Sequence, residues 1–390
     1  MYRNTRFGDV MKGLPRGGFE KIVTQFEGDK HSKGFRSWDQ LIAMVFAQLS
    51  GCRSLRELEA GFNSETSHYY HLGSRSIKRS TLADANRSRS SDVFAAVCEQ
   101  LMAQAHRKVR KEFGDLLYLI DSTPIPLKGL GYDDWSKDNH NHRTQGLKVH
   151  MMIVGNRALP VHTEITAANV NDIDAGRRMG IAAGSTYVFD KGYCDYSWWH
   201  RIEQSGAYFV TRLKRNAGIR CEKEQAIPED EQRSILADEQ VVFTNKCPGG
   251  KRKNAYQDKA VRRVTVNREG KSPLVLVTND FTRSALEIAE LYKRRWGIEL
   301  FFKWLKQNLK IKRFLGRSEN AVKIQIYTAL IAYLLVERYR QQSGVVQTLT
   351  LCLAELKAGL LSRPQVGIEA IQKRRRWRVE RQTTQGVLAL

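Results

Sequence analysis

The chain has 390 residues, with 64 Lys+Arg against 41 Asp+Glu, a formal net charge of +23 and a pI near 9.8. That length allows two or three domains with a sizeable core, and 42% hydrophobic with 9% aromatic residues excludes wholesale disorder. Such a positive balance disfavours cationic ligands and points to a polyanion, either nucleic acid or an anionic membrane surface, with a solubilising basic coat as the plain alternative.

The first sixteen residues alternate charged and small side chains and lack the apolar core of a secretory signal. Residues 1–110 are expected to form a helical N-terminal DNA-binding domain. Residues 38–49 carry apolar side chains at helical spacing, Gly51 closes that run, and Ser54-Leu-Arg-Glu57 has the form of a capping box opening the next helix. Ser80-Thr81-Leu-Ala-Asp84 reads as a further start, in a run with Arg75, Lys78, Arg79, Arg87 and Arg89. Short basic helices with tight turns suit a helix-turn-helix-like DNA reader, and a helical bundle with a solvated basic face has the same pattern.

From Leu116 the period changes. Residues 116–120, 147–154 and 159–166 predict strands, 172–183 a helix, 186–189 a strand, 198–204 a helix and 207–211 a strand. Three strands, helix, strand, helix, strand outlines an α/β domain with a mixed sheet. Residues 214–282 break that rhythm. The segment 222–240 is charged and loop-like, and 241–244, 261–266 and 274–277 predict strands of a β-rich insertion. A helix resumes at Ser284 and runs to about Leu309, followed by an apolar helix over 321–338. The longest apolar stretch, 329–336, falls far short of the roughly 20 residues of a membrane span. Residues 341–390 form a basic C-terminal helical region and tail that includes 373–378. The six cysteines are scattered without a C-x-x-C spacing, which suggests a reducing cytoplasm and neither a disulfide framework nor a zinc site.

Asp121 follows the first apolar strand and Asp190 follows the strand 186–189. A carboxylate at the end of a buried strand carries a desolvation cost unless something pairs with it. Two in one α/β domain imply convergence on a cation, and hard oxygen ligands suit Mg²⁺ or Mn²⁺. Two ordinary strand-end aspartates remain the other reading. Tyr292, Arg295, Glu299, Lys303 and Lys306 lie at offsets 3, 4, 4 and 3, on one helix face. Ion pairing along a helix accounts for Arg295/Glu299 and Glu299/Lys303 but not for the bulky aromatic residues around them. Asp133, Asp134, Asp138, His140 and His142 could ligate a metal by spacing, although their Asn- and Lys-rich setting favours a solvated loop. His150 is expected to make a core hydrogen bond, and Asp172 and Asp174 to cap a helix.

Tyr292, Arg295, Glu299 and Lys306 spell Y-x2-R-x3-E-x6-K, which resembles the marker of the DDE transposases of bacterial insertion sequences in the insertion sequence 4 group. Leu119-Ile-Asp121-Ser-Thr123 and Phe189-Asp190-Lys-Gly192-Tyr193 are similar to that family's two aspartate motifs. Leu147-Lys148-Val-His150 and Val210-Thr211-Arg212-Leu-Lys214 match its intervening ones. The resemblance covers about residues 115–340, and residues 35–58 look like an N-terminal domain often attached to it. It implies an RNase H-like catalytic domain over 111–340, split by the insertion at 214–282. Asp121, Asp190 and Glu299 would be the catalytic, metal-holding acids for two Mg²⁺ or Mn²⁺ ions. Tyr292, Arg295, Lys303, Lys306, Arg212 and Lys214 would contact DNA.

The implied activity is cut-and-paste transposition, that is, cleavage and strand transfer at the terminal inverted repeats and target of double-stranded DNA. A homodimer on DNA, a cytoplasmic, nucleoid-associated location and no membrane contact go with it. The family is thought to form a hairpin with a base flipped onto an aromatic ring. No Trp lies between Trp199 and Trp296, which leaves Tyr256, Phe243 and Phe281 as candidates for that ring. Net charge is +7 over residues 1–110, +3 over 111–281 and +13 over 282–390, so the excess lies on either side of the two aspartates.

Overall fold

The structure is a computed structural model. It describes residues 5–363 apart from 65, 67, 114–115, 140–143, 156, 248–252, 258 and 344–346. The N-terminal part is built of α1 (Arg6–Met11), α2 (Arg16–Gln25), α3 (Ser37–Ser50), α4 (Leu55–Asn63), α5 (Tyr69–Leu72), α6 (Arg79–Ser88) and α7 (Asp92–Glu112). Gly51 ends α3 in the left-handed region (φ 81°), and the Ser54 hydroxyl accepts the Glu57 N–H at 3.1 Å to open α4. The helix expected to start at Ser80-Thr81 begins at Arg79. Arg75, Lys78, Arg79 and Arg87 face solvent, whereas Arg89 turns inward and donates to Gln40 and Ser32.

The remainder is organised on one sheet of β1 (Leu117–Pro126), β2 (Lys137–Asn139), β3 (Thr144–Val154), β4 (Leu159–Ala167), β5 (Thr186–Phe189), β6 (Tyr208–Arg212), β7 (Ile219–Glu224), β8 (Ile235–Phe243), β9 (Ala260–Val266) and β10 (Leu274–Thr278). Among the described residues the order is β2-β3-β1-β5-β6-β10-β9-β8-β7, with β4 also on β3. β3 runs antiparallel to β1, while β5 lies parallel to both β1 and β6. The central strands β1 and β5 bury continuous apolar runs, as strands covered on both faces do. The helices are α8 (Asp172–Gly176), α9 (Tyr196–Gln204), α10 (Ala285–Lys293), α11 (Trp296–Asn308), α12 (Glu319–Gln342) and α13 (Leu349–Ala358).

Three expectations need correction. The segment 222–240 is not a loop: β7 occupies its start and β8 its end. β7 is a solvent-exposed edge strand, where charged residues are tolerated because only one ladder is made. The helix expected over 172–183 stops at Gly176, after which the Arg178 and Met179 N–H groups bond to carbonyls three residues back. At Gly176 a Cβ would meet the Tyr193 ring at 2.9 Å, so glycine permits this packing. The helix expected from 284 to about 309 is two helices. Between them Arg295 N–H bonds the Tyr292 carbonyl (3.0 Å), Gly297 that of Arg294 (2.8 Å) and Ile298 that of Arg295 (3.1 Å), a 3₁₀-type step.

One apolar core runs from the N-terminal helices through α12 to the sheet. α3 is buried along nearly its whole length because α12 and α13 pack on it. Two buried glutamines tie this contact to the loop after α11. Gln48 accepts the Lys310 N–H (2.7 Å) and donates to the Gln325 carbonyl (3.2 Å). Gln325 in turn donates to the Lys310 and Arg313 carbonyls and accepts the Leu315 N–H. No helix among the described residues is long and apolar enough to cross a membrane.

Candidate active site

In the parallel pair β1/β5, Ile120 lies opposite Phe189. The next residues, Asp121 and Asp190, therefore stand at the same level, but Asp121 does not end its strand as expected: β1 continues to Pro126 and pairs Asp121 with Met151 of β3, whereas Asp190 leaves the sheet after β5. The Asp121 Oδ1 accepts the Ser122 N–H at 2.8 Å, and the Asp190 Oδ1 accepts the Gly192 N–H at 2.7 Å, capping a 3₁₀ turn over Lys191–Tyr193. Glu299 comes from the first turn of α11, which packs on β1. Burial pushes the Asp121 carboxyl up from 3.8 to about 7; its own hydrogen bond opposes this, Asp190 and Glu299 add to it, and Arg295 relieves it. Asp121 thus feels both of the other acids.

Arg295 bridges two of them. Its Nη2 donates to Glu299 Oε1 at 2.6 Å and its Nη1 lies 3.6 Å from Asp121 Oδ2. Its guanidinium carbon stands 5.7 Å from the centre of the Tyr292 ring, a cation–π arrangement, and its Nε is buried without a hydrogen-bond partner. Among the described residues no three His, Cys, Asp or Glu side chains stand close enough together to enclose an ion. The oxygen donors nevertheless fit a hard cation, since one guanidinium neutralises only part of the charge of three carboxylates.

An open cavity of about 440 Å³ begins at Asp121 and Glu299 and continues between Thr123, Lys303, Lys306 and Lys312. Lys306 Nζ donates to Thr123 Oγ1 (2.6 Å) and to the Pro124 carbonyl (3.1 Å), so this cation is anchored to β1; burial and the nearby Lys312 lower its pKa. Lys303 is exposed on the cavity wall. Arg212, at the end of β6, interacts electrostatically with Tyr292, and exposed Lys214 does so with Cys194, just beyond the Asp190 turn. Each singled-out cation therefore stands near the acids or their immediate supports. Lys312 went unnoticed in the sequence because it lies beyond the helix whose periodicity marked the others.

The Transposase DDE domain family matches residues 112–335, more than half of the chain and all three acids. The chain belongs to the DDE transposase family. Protein y4zB of Sinorhizobium fredii, named as a transposase, is 43% identical over 257 residues, 65% of this chain and 69% of that protein. A protein of Synechocystis sp. named as a transposase for insertion sequence element IS4SA is 28% identical over 278 residues, 68% of this chain and 73% of that one. A solved structure, the piggyBac transposase synaptic complex with hairpin DNA, aligns with a TM-score of 0.47 at 12% identity, over 92% of this chain and 80% of that chain. Residues 2–75 of the transposase also match a domain of unknown function.

Other candidates settle differently. Tyr256 and Phe243 are buried in the packing of α9 against β6 and β8, which leaves Phe281 exposed among the three aromatic candidates. Asp133 accepts the Gly129 N–H and a Gln145 amide proton, as a loop residue would. His140, His142 and residues 373–378 lie outside the described residues. His150 is buried, and its Nε2 shares a hydrogen bond with Thr166 Oγ1 at 2.9 Å. Burial, the largest effect on it, lowers its pKa to about 4. Asp174 pairs with Arg177 at 3.3 Å. Asp172 is not a cap: Asn171 holds that position, and the Asp172 carboxylate accepts the Ser122 hydroxyl (2.8 Å) and Lys148 Nζ (3.0 Å).

Proposed function

We propose that this DDE transposase binds the terminal inverted repeats of a mobile element and cuts and joins DNA there, with Asp121, Asp190 and Glu299 holding Mg²⁺ or Mn²⁺, two ions in all. The observation that carries the reading is geometric: Asp121 and Asp190 stand at one level of the neighbouring parallel strands β1 and β5, and Arg295 joins Asp121 to Glu299, in a setting whose burial pushes the Asp121 carboxyl up. An arrangement so unfavourable without a cation is what a phosphoryl-transfer centre needs. Bound divalent ions would activate an attacking water or 3′-hydroxyl and stabilise the leaving oxygen.

The protein's own part is to hold the strand. Lys303 and Lys306 line the cavity that opens at Asp121 and Glu299, and there they would grip phosphates. Arg295, supported by the Tyr292 ring, would exchange its carboxylates for phosphate once metal neutralises them. Arg212 and Lys214 would steady the strand beside the Asp190 turn. An RNase H-like catalytic domain is supported by the five-strand order β4-β3-β1-β5-β6 with β3 antiparallel, and β7–β10 would be its insertion. Tyr292, Arg295, Glu299 and Lys306 support membership of the Y-R-E-K subgroup. Exposed Arg75, Lys78 and Arg79 suit DNA contact by the N-terminal helices, and cutting two ends suits a homodimer on DNA.

Asp121→Ala, Asp190→Ala and Glu299→Ala should each fail to cleave a duplex carrying the element end in Mg²⁺, yet shift that duplex in a binding gel as the parent does. Cleavage retained by Glu299→Ala would sink the assignment.

A further inference from the structure

Behind the two aspartates lies a set of polar groups that metal binding and DNA contact leave without a task. Asp172 Oδ1 accepts the Ser122 hydroxyl and Lys148 Nζ, and stands 3.6 Å from the buried Nδ1 of His150, which has no hydrogen-bond partner. Ser122 also gives its N–H to Asp121 Oδ1, so one residue links the two carboxylates. On the other side, a Cβ on Gly192 would lie 3.2 Å from Asp172 Oδ2 and 2.9 Å from Asp190 Oδ1. The Asp190 turn therefore approaches Asp172 closely, and glycine is the residue that leaves room for both acids. The buried Tyr193 hydroxyl faces Ser122 and feels the charges of Asp172, Asp121 and Asp190.

We propose that Asp172 is a positioning residue. Its carboxylate is hydrogen-bonded to β1 through Ser122 and packs against the turn after β5 at Gly192, and so sets the separation of Asp121 and Asp190. This role rests on the reading of those two aspartates as metal-holding. Asp172 is not itself a ligand, because Lys148 already neutralises it and Oδ1 is committed to two donors. Three lines of geometry support the role. Ser122, which lines the cavity beside Asp121, gives its hydroxyl to Asp172 while its N–H serves Asp121. Lys148, on β3, is largely buried and reaches past Asp172 to the Val170 carbonyl at 2.9 Å, which fixes where the carboxylate can sit. The buried Nδ1 of His150, without a hydrogen-bond partner 3.6 Å from Asp172 Oδ1, and the Tyr193 hydroxyl beside Ser122 crowd the same place, which further confines the carboxylate.

Outer partners of this kind typically change metal affinity 10–100-fold. The test is a calorimetric titration of the full chain with Mn²⁺ alone, on the parent, Asp121→Ala, Asp172→Ala and Ser122→Ala, beside kcat and Kd for element-end duplex. Ser122→Ala removes one hydroxyl and carries the test if Asp172→Ala fails to fold. The expected result is Mn²⁺ affinity reduced about 10-fold or more in Ser122→Ala and Asp172→Ala, kcat reduced with it, and duplex Kd unchanged. A variant carrying both Ser122→Ala and Asp172→Ala, titrated alongside, should bind no more weakly than Asp172→Ala, because both changes break one chain of contacts. Parental Mn²⁺ affinity in Ser122→Ala and Asp172→Ala, with binding lost in Asp121→Ala, would overturn the positioning role alone. Parental affinity in Asp121→Ala would overturn the metal reading itself, and this role with it.

Discussion

Replacing Asp121 by Asn should stabilise the metal-free protein at neutral and alkaline pH. The carboxyl rises from 3.8 to about 7 on folding, mainly through burial. A group raised in this way binds its proton more tightly in the folded state. Its favourable contribution is complete below about pH 4 and is lost as pH rises through 7. Above that the folded chain holds an ionised carboxylate in a desolvated place beside two other acids. About three units at roughly 1.4 kcal/mol each put the difference on the order of 4 kcal/mol, an upper value because Arg295 and solvent relax around the charge. Asn keeps an oxygen to accept the Ser122 N–H and has no charge to bury.

Thermal unfolding of both proteins in EDTA from pH 4 to 9 should give coincident midpoints at the acid end. A gap in favour of Asp121→Asn should open through neutrality and level off above pH 8. Mg²⁺ should close that gap by raising the parent alone. An Asn variant that melts below the parent at pH 8, or a gap of constant size across the range, would refute the reasoning.

Gln48→Ala should destabilise the fold by about 1–3 kcal/mol, because it strands the part-buried Lys310 N–H, while the Gln325 carbonyl keeps the Thr328 hydroxyl; a melting curve unchanged from the parent would contradict this. The Arg262–Asp238 pair is 4% and 5% exposed and doubly hydrogen-bonded at 2.8 and 2.7 Å. Asp238→Ala should cost about 3–5 kcal/mol in denaturant unfolding, whereas Arg262→Met with Asp238→Leu should recover most of the loss. Lys303→Ala and Lys312→Ala should each lower the slope of log affinity for duplex against log salt by about 0.9, measured by fluorescence anisotropy at several NaCl concentrations.

The central strands were legible because burial on both faces writes itself as an unbroken apolar run, as in the first half of β1; its continuation through Asp121 to Pro126 was not, because the run breaks there. Asp190 was legible for a related reason, since a carboxylate beside such a run needs a partner, and Glu299 was legible from its spacing with Tyr292, Arg295, Lys303 and Lys306. β7 was not legible: an exposed edge strand carrying Arg220, Glu222, Lys223 and Glu224 has the composition of a loop, and only its ladder to β8 defines it. Asp172 was misread as a helix cap because its sequence neighbours fit one. The groups it serves, on β1 and β3, are 50 and 24 residues away. Arg89 misled in the opposite direction, since nothing in a basic run distinguishes the one guanidinium folded inward.

The break at Arg294–Arg295 changes what the Tyr292–Lys306 face means. Were it one straight helix, a single rigid rod would carry all four motif residues. Instead Tyr292 belongs to α10, which packs on β5, β6, β8 and β9, and Glu299 to α11, which packs on β1. Arg295 stands at the joint and touches both sides, stacking on Tyr292 and pairing with Glu299 and Asp121. The start of α10 is in turn pinned to β9, where Arg262 donates to the Asp280 and Arg283 carbonyls at 3.2 and 2.5 Å. The strands β8 and β9 therefore connect to the acids through α10 and Arg295. It follows that a lesion at Arg262, remote in sequence from every acid, should change the response of cleavage to Mn²⁺ as well as stability. A lesion on the exposed face of β7 should change neither.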